Sequence, residues 1–367
     1  MKRNNPEQRN NRRSFLRGSL ATSAALAGAT ALGGRKLFAQ EENQATFTRG
    51  DIAILRFLAA AELIEADLWQ QYAELGGLTS GQPIEVDPNQ QLNSYQTALS
   101  NLDGDGPQYI TSNTIDEISH ATFLNGYLES KGADRVDFSE FETLQGSRAA
   151  GAQNIGRLTN LMHLNVDTSW FIRYRSATNP DFGATYPQAL EISNRTAIPR
   201  TDADFNGIDH IQVIANTAAF HFGYIEQGGS SLYQALSQKV SSLEVLRITL
   251  GIGADEVAHF LEWVDFAGNG VQAPVAPVSD EGLTFPNFFS PLNPLKQPSL
   301  IFPVPCEFIS PNLPHCAVIR PSSDRFGGAV ATIASFTQDG LFFGQQQKFL
   351  QVLQELAEAA DAARREI

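Results

Sequence analysis

The chain has 367 residues, of which 42% are hydrophobic, enough for one large core with additions or for two small domains. Its formal charge is −14, and eight of the 26 Lys/Arg but one of the 40 Asp/Glu fall in the first 39 residues. The remainder therefore stands at −21, which argues against a sequence-independent nucleic-acid binder.

Residues 1–39 include "NRRSFLRGSLATSAALAGATALGGRKLFA", with paired Arg12 and Arg13, then Ser14-Phe15-Leu16, a run of small apolar residues and a cleavage point after Ala39. This pattern resembles a twin-arginine export signal. The resemblance implies the twin-arginine export machinery as a partner and a periplasmic or secreted mature protein. The apolar run is short and weakly hydrophobic for a spanning helix of about 20 residues, so the mature form is expected to carry no stable membrane span.

Apolar periodicity then predicts a helix over 48–75, with Leu55, Leu58, Glu62, Glu65, Trp69 and Tyr72 on one stripe. Residues 76–109 are rich in Gln, Asn, Gly and Pro and read as a long crossing loop. A second helix over 112–131 aligns Glu117, His120, Leu124 and Tyr127, and Gly132 stops it. Residues 133–204 form an insertion of mixed character containing "SWFIRYR". A third helix over 207–236 aligns Ala219, Phe222, Glu226, Gly229, Tyr233 and Leu236. The fourth, over 242–267, aligns Ile252, Glu256, His259, Trp263 and Phe266. Residues 40–267 thus read as a mainly α bundle with insertions at 76–109 and 133–204. Residues 268–367 read as a Pro-rich wrapping segment followed by an extra C-terminal helix over 341–365. Within that segment, "PCEFISPNLPHC" holds Cys306 and Cys316, a disulfide candidate in an oxidising compartment.

Two short stretches carry the chemistry. "DEISHATFL" and "DEVAHFLEW" share the pattern D-E-[IV]-x-H, giving Glu117 with His120 and Glu256 with His259. Residues three apart lie on one helix face, so each unit offers an oxygen and a nitrogen ligand to the same ion. Each unit is preceded by a helix with an inward Glu, Glu62 or Glu226, and each of those has an aromatic residue seven positions on, Trp69 or Tyr233. Four carboxylates and two imidazoles are the ligand set of dimetal carboxylate bundles, and without thiolates they suit two iron or manganese ions. Glu65 shares the stripe of Glu62 and is an alternative ligand. Trp69 and Tyr233 are read as packing around the ligands. His163, His210 and His221 fall off the ligand stripe, at surface or satisfied-core positions.

The helices "DIAILRFLAAAELIEADLWQQY" and "AFHFGYIEQGGSSLY", with the two D-E-[IV]-x-H helices, resemble the ferritin-like family that includes bacterial and plant desiccation-related proteins. The resemblance implies a ferritin-like four-helix bundle in which Glu117 and Glu256 bridge two ions, Glu62 and Glu226 bind one each, and His120 and His259 complete the shells. It further implies oxidative chemistry on a small oxidant or a metal-ion substrate, or else a non-enzymatic stress protein with a structural or vestigial metal site. One departure is the spacing: 55 residues separate Glu62 from Glu117, but 30 separate Glu226 from Glu256. The leader is open to a direct test. Replacing Arg12 and Arg13 by Lys should leave a soluble, folded protein in the cytoplasm on cell fractionation, whereas undiminished export would mark a general secretory signal.

Overall fold

Reciprocal capping sets where the first helix begins. Thr48 N donates to Asp51 Oδ2 at 3.0 Å, and Asp51 N donates back to Thr48 Oγ1 at 3.1 Å, satisfying two of the free donors at the start of α1 (Arg49–Leu75). The same carboxylate accepts Ser241 N at 2.8 Å and Ser242 N at 3.2 Å, which ties this end of α1 to a turn almost 200 positions later. The structure, a computed structural model, describes residues 47–75, 93–102, 106–173, 187–264, 278–286, 310, 312, 314 and 328–366. The leader, most of the 76–109 loop, Phe266 and both cysteines lie outside the described residues.

The chain is mainly helical. Helix α2 (Gly106–Ser130) starts before the expected 112 and runs antiparallel to α1. Thr114 Oγ1 reaches Trp69 O at 3.2 Å, and Phe47 packs on Tyr127 at the other end with ring centroids 5.9 Å apart. The following segment contains a two-residue hairpin, β1 (Leu144–Gln145) against β2 (Gly156–Arg157), and the short α3 (Trp170–Arg173). Leu158, Leu161, Leu164 and Trp170 from this segment share the core with α1.

Helices α4 (Ile208–Ser237) and α5 (Leu243–Val264) form the second antiparallel pair. Ser237 Oγ bonds Thr249 Oγ1 at 2.9 Å near the turn, and Phe222 meets Trp263 at 4.8 Å at the far end. They approach closely because Gly253 faces Tyr233, whose Cβ would lie 2.7 Å from any Cβ added there. Trp69 packs on Phe222, and Trp263 donates to Asn113 on α2, so the four long helices enclose one core with neighbouring helices antiparallel. Among the described residues no helix is long and apolar enough to cross a membrane.

A second hairpin, β3 (Val278–Asp280) with β4 (Leu283–Phe285), is pinned to the start of α4 by His210. Its two ring nitrogens lie 2.7 Å from Asp280 and 3.0 Å from Asp204. The C-terminal helix expected over 341–365 is present over a shorter span, and another helix precedes it. Helix α6 (Ala329–Asp339) ends at Gly340, which takes a left-handed conformation at φ 88°, and α7 (Gln347–Ala362) follows the turn. Gly328 offers no side-chain cap to α6, and Asp361 of α7 does so from across the pair, accepting Ala329 N at 3.0 Å and Val330 N at 2.9 Å.

The insertion is held to α1 by an ion pair between Arg157 and Glu74, both almost fully buried, with Gln153 N also donating to Glu74 at 2.9 Å. Removing one partner of such a pair strands a charge in the core. Arg157→Met should therefore destabilise the protein by about 3–5 kcal/mol in urea unfolding, and adding Glu74→Leu should recover most of that loss.

Candidate metal centre

The helical period carries Glu62 on α1, Glu117 and His120 on α2, Glu226 on α4, and Glu256 and His259 on α5 to the centre of the four helices. Two groups of potential ligands form there, Glu62, Glu117, His120 and Glu256 on one side and Glu117, Glu226, Glu256 and His259 on the other. Within each group the ligand atoms lie within 4.8 Å of one another, and Glu117 and Glu256 belong to both. All six residues named from the sequence are thus brought together. Glu117, Glu226 and Glu256 are fully buried, and Glu62 nearly so.

Each imidazole turns its Nδ1 toward the carboxylates. His120 Nδ1 lies 3.4 Å from Glu62 and 3.4 Å from Glu117, and His259 Nδ1 lies 3.0 Å from Glu117 and 3.4 Å from Glu226. The opposite nitrogens meet the acidic residue that opens each motif, but in a crossed pattern. His120 Nε2 lies 3.2 Å from Asp255 on α5, and His259 Nε2 lies 3.4 Å from Asp116 on α2. A proton held on Nε2 by these aspartates leaves the Nδ1 lone pair aimed into the cluster, the arrangement a ligating histidine needs.

Further groups fix the carboxylates. Asn113, one turn before Glu117, donates through Nδ2 to Glu117 at 3.0 Å and to Glu226 at 3.1 Å, while its Oδ1 accepts Trp263 Nε1 at 2.8 Å. Tyr233 donates its hydroxyl to Glu62. Trp69, the matching aromatic in the other half, reaches no carboxylate and stacks on Trp263 with centroids 5.2 Å apart. The halves also differ three residues past each lone Glu, at Glu65 and Gly229. A Cβ at Gly229 would overlap Glu256 Oε2, so glycine here opens the space that this carboxylate fills. Glu65 belongs to neither ligand group.

The electrostatics are those of crowded charge. Burial, then Glu117, Glu65, Glu62 and Glu226, push Glu256 well above the usual carboxylate range, and burial with Glu226 raises Glu117 to about 7. Burial, then Glu117 and Glu62, raise Glu65 as well. For His120, burial alone would lower the value, but Asp255, Glu117 and Glu62 outweigh it and raise it to about 12; for His259, Glu226, Asp116 and Glu117 likewise overcome burial. Glu62 Oε2, Glu226 Oε2, both oxygens of Glu256 and His259 Nδ1 are buried without a hydrogen-bond partner. Such atoms are costly unless a cation satisfies them. Oxygen and imidazole donors without sulfur fit iron or manganese.

Histidines 163, 210 and 221 stay out of this cluster. His163 faces Asn194 at 3.2 Å, His210 sits between its two aspartates, and His221 is buried between Tyr72 and Asp339. Comparison with protein-family models, with curated proteins and with solved structures gives no match.

Two outcomes are expected. Gly229→Ala should keep the helical content seen by circular dichroism while weakening divalent-metal binding about tenfold or more, by displacing Glu256. Because raised values leave Glu117, Glu256 and both histidines protonated near neutrality, metal binding should release protons, and affinity should rise with pH. Addition of Mn(II) to weakly buffered protein at pH 7 should acidify the solution, and an unchanged pH would contradict these protonation states.

Proposed function

We propose that this chain is a ferritin-like dimetal carboxylate protein that holds two iron or manganese ions and performs oxidative chemistry with oxygen or peroxide. The observation that carries the reading is the pair of four-residue groups sharing Glu117 and Glu256, with buried carboxylate oxygens that no hydrogen bond satisfies. In this reading Glu117 and Glu256, which belong to both groups, would be shared by the two ions, Glu62 and His120 would help hold one, and Glu226 and His259 the other. Such a pair would supply electrons for the reduction of peroxide.

The chain's own residues do the rest. Asp116 and Asp255 orient the imidazoles, Asn113 holds Glu117 and Glu226 in place, and Tyr233 fixes the outer oxygen of Glu62. Trp69, Phe222 and Trp263, all fully buried, exclude water from one end of the cluster. The leader extends the proposal to export by the twin-arginine route, which carries folded and already loaded proteins, into the periplasm or beyond.

The closure of the site supports a second reading, a structural metal pair in a non-enzymatic stress-related protein. The most accessible of the six side chains, His120, is only 10% exposed. Elemental analysis followed by oxygen uptake with ferrous iron separates the two. About two ions per chain with turnover supports the enzyme, two ions without turnover supports the structural role, and none overturns both. Glu62→Gln should cost about one ion per chain and Glu65→Gln little. The reverse ranking would move the ligand one helical turn.

A further inference from the structure

Beyond the cluster lies a buried network that metal binding does not use. Trp263 links to the ligands through Asn113, and its ring stacks on Trp69 at 5.2 Å with 23° between planes. Trp69 meets Tyr72, one turn along α1, with centroids 5.6 Å apart, and Phe222 fills the angle between them. The Tyr72 hydroxyl lies 2.7 Å from His221 Nδ1, and His221 Nε2 lies 2.9 Å from Asp339 Oδ2 at the end of α6. Trp263, Trp69, Tyr72 and His221 are all fully buried, and Asp339 is 1% exposed. Asp339 in turn borders a cleft lined also by Asn165, Gln188, Tyr224 and Ser335, so the network runs from the cluster to the edge of the molecule.

The chemistry of this line is specific. Burial and Asp339 push the Tyr72 hydroxyl well above its ordinary value, so it does not ionise at neutral pH. An imidazole with its proton on Nε2, held there by Asp339, offers Tyr72 a lone pair within proton-transfer distance. Tyrosine is far easier to oxidise when its proton has somewhere to go, and contacting aromatic rings give an electron short steps. Packing alone would be served by Phe and Leu at these positions, without sinking a Tyr-His-Asp chain into the core.

We infer that Tyr72 is a redox-active residue of this protein, joined to the carboxylate-histidine cluster by Trp69 and Trp263 and hydrogen-bonded to its proton acceptor, His221. On oxidation Tyr72 loses one electron, which passes through Trp69 and Trp263 to a one-electron oxidant. Its hydroxyl proton passes to His221 Nδ1. The products are a neutral tyrosyl radical and an imidazolium paired with the Asp339 carboxylate. In the loaded protein the oxidant would be peroxide at the cluster, one molecule taking one electron from Tyr72 through the aromatic stack and one from the metal pair, and this link rests on the function proposed above. Tyr72 is the electron donor in this scheme, and His221 acts through it.

The test does not need the metal. Protein labelled with 15N-histidine and held in chelator is oxidised by flash-generated ruthenium(III) tris-bipyridyl, freeze-quenched and read by electron paramagnetic resonance. Wild type and Tyr233→Phe should give a tyrosyl radical coupled to an imidazole nitrogen, Tyr72→Phe should lack it, and His221→Gln should form its tyrosyl radical about a hundredfold more slowly. Ring-deuterated tyrosine in the wild type assigns the radical to tyrosine without any substitution, should a variant fold poorly. Absence of an imidazole-coupled tyrosyl radical in wild type, or its survival in Tyr72→Phe, overturns the inference. In parallel, ferrous loading and then peroxide should give the same signal. A signal from the photo-oxidant but not from a verified two-metal sample would cut Tyr72 from the cluster and overturn the relay, whereas failure to bind metal at all would overturn the proposed function and leave Tyr72 to the photochemical result.

Discussion

Four carboxylates converge in a core from which water is excluded, and the surrounding structure answers to that concentration of negative charge. Desolvating one unpaired carboxylate is already costly, and mutual repulsion compounds it. Protonation of Glu117 near neutrality and the strong retention of protons by His120 and His259 are how the metal-free protein relieves the strain. For the histidines, whose values are raised, the stabilising ion pairs are complete below the free imidazole value of about 6.5 and fade only as pH climbs through the raised ones. For Glu117 and Glu256, also raised, the sign is opposite to that of a salt-bridged acid: their contribution favours the fold at low pH and is lost as pH rises. Two divalent cations would remove the conflict by drawing the carboxylates into their charged form and the imidazoles into their neutral one.

The rest of the fold keeps this arrangement in place while departing from exact twofold repetition. Glu65 in one half stands where the other has Gly229, and only the glycine side leaves room for the Glu256 carboxylate. Tyr233 holds Glu62, while Trp69 turns into the aromatic stack that leads to Tyr72. Distant segments lock the helices from outside: Asp51 ties α1 to the α4–α5 turn, Arg157 anchors the insertion on Glu74, and Asp361 caps α6. A cluster of like charges needs such bracing, because helices free to slide apart would let water in.

Much of the site was legible because helical periodicity is local. Two copies of D-E-[IV]-x-H, each after a helix with an inward Glu, suffice to place six side chains on facing stripes. Other features depend on contacts that no local pattern encodes. The repeated Asp was visible as a letter, but the crossing of Asp116 to His259 and Asp255 to His120 follows from the antiparallel meeting of α2 and α5. Asn113, one turn before Glu117, reads as an ordinary polar residue until Trp263 arrives from 150 positions away. His221 lies apart from the cluster, and its partners lie 149 and 118 positions off. Helix α6 went unread because its short apolar run, Val330, Ile333 and Phe336, is cut by Gly340 and the following turn.

The central claim is that Glu117 and Glu256 are buried for a cation and not for the stability of the bare protein. Replacing both with Leu leaves Glu62 beside His120 and Glu226 beside His259, each pair 3.4 Å apart and electrically balanced. Thermal melts of wild type and Glu117→Leu/Glu256→Leu, each in chelator and in Mn(II), measure the difference directly. The account predicts that in chelator the variant melts at or above the wild type, and that Mn(II) raises the wild type alone. A variant melting well below the chelated wild type, or a wild type indifferent to Mn(II), would mean these carboxylates are already satisfied by the protein.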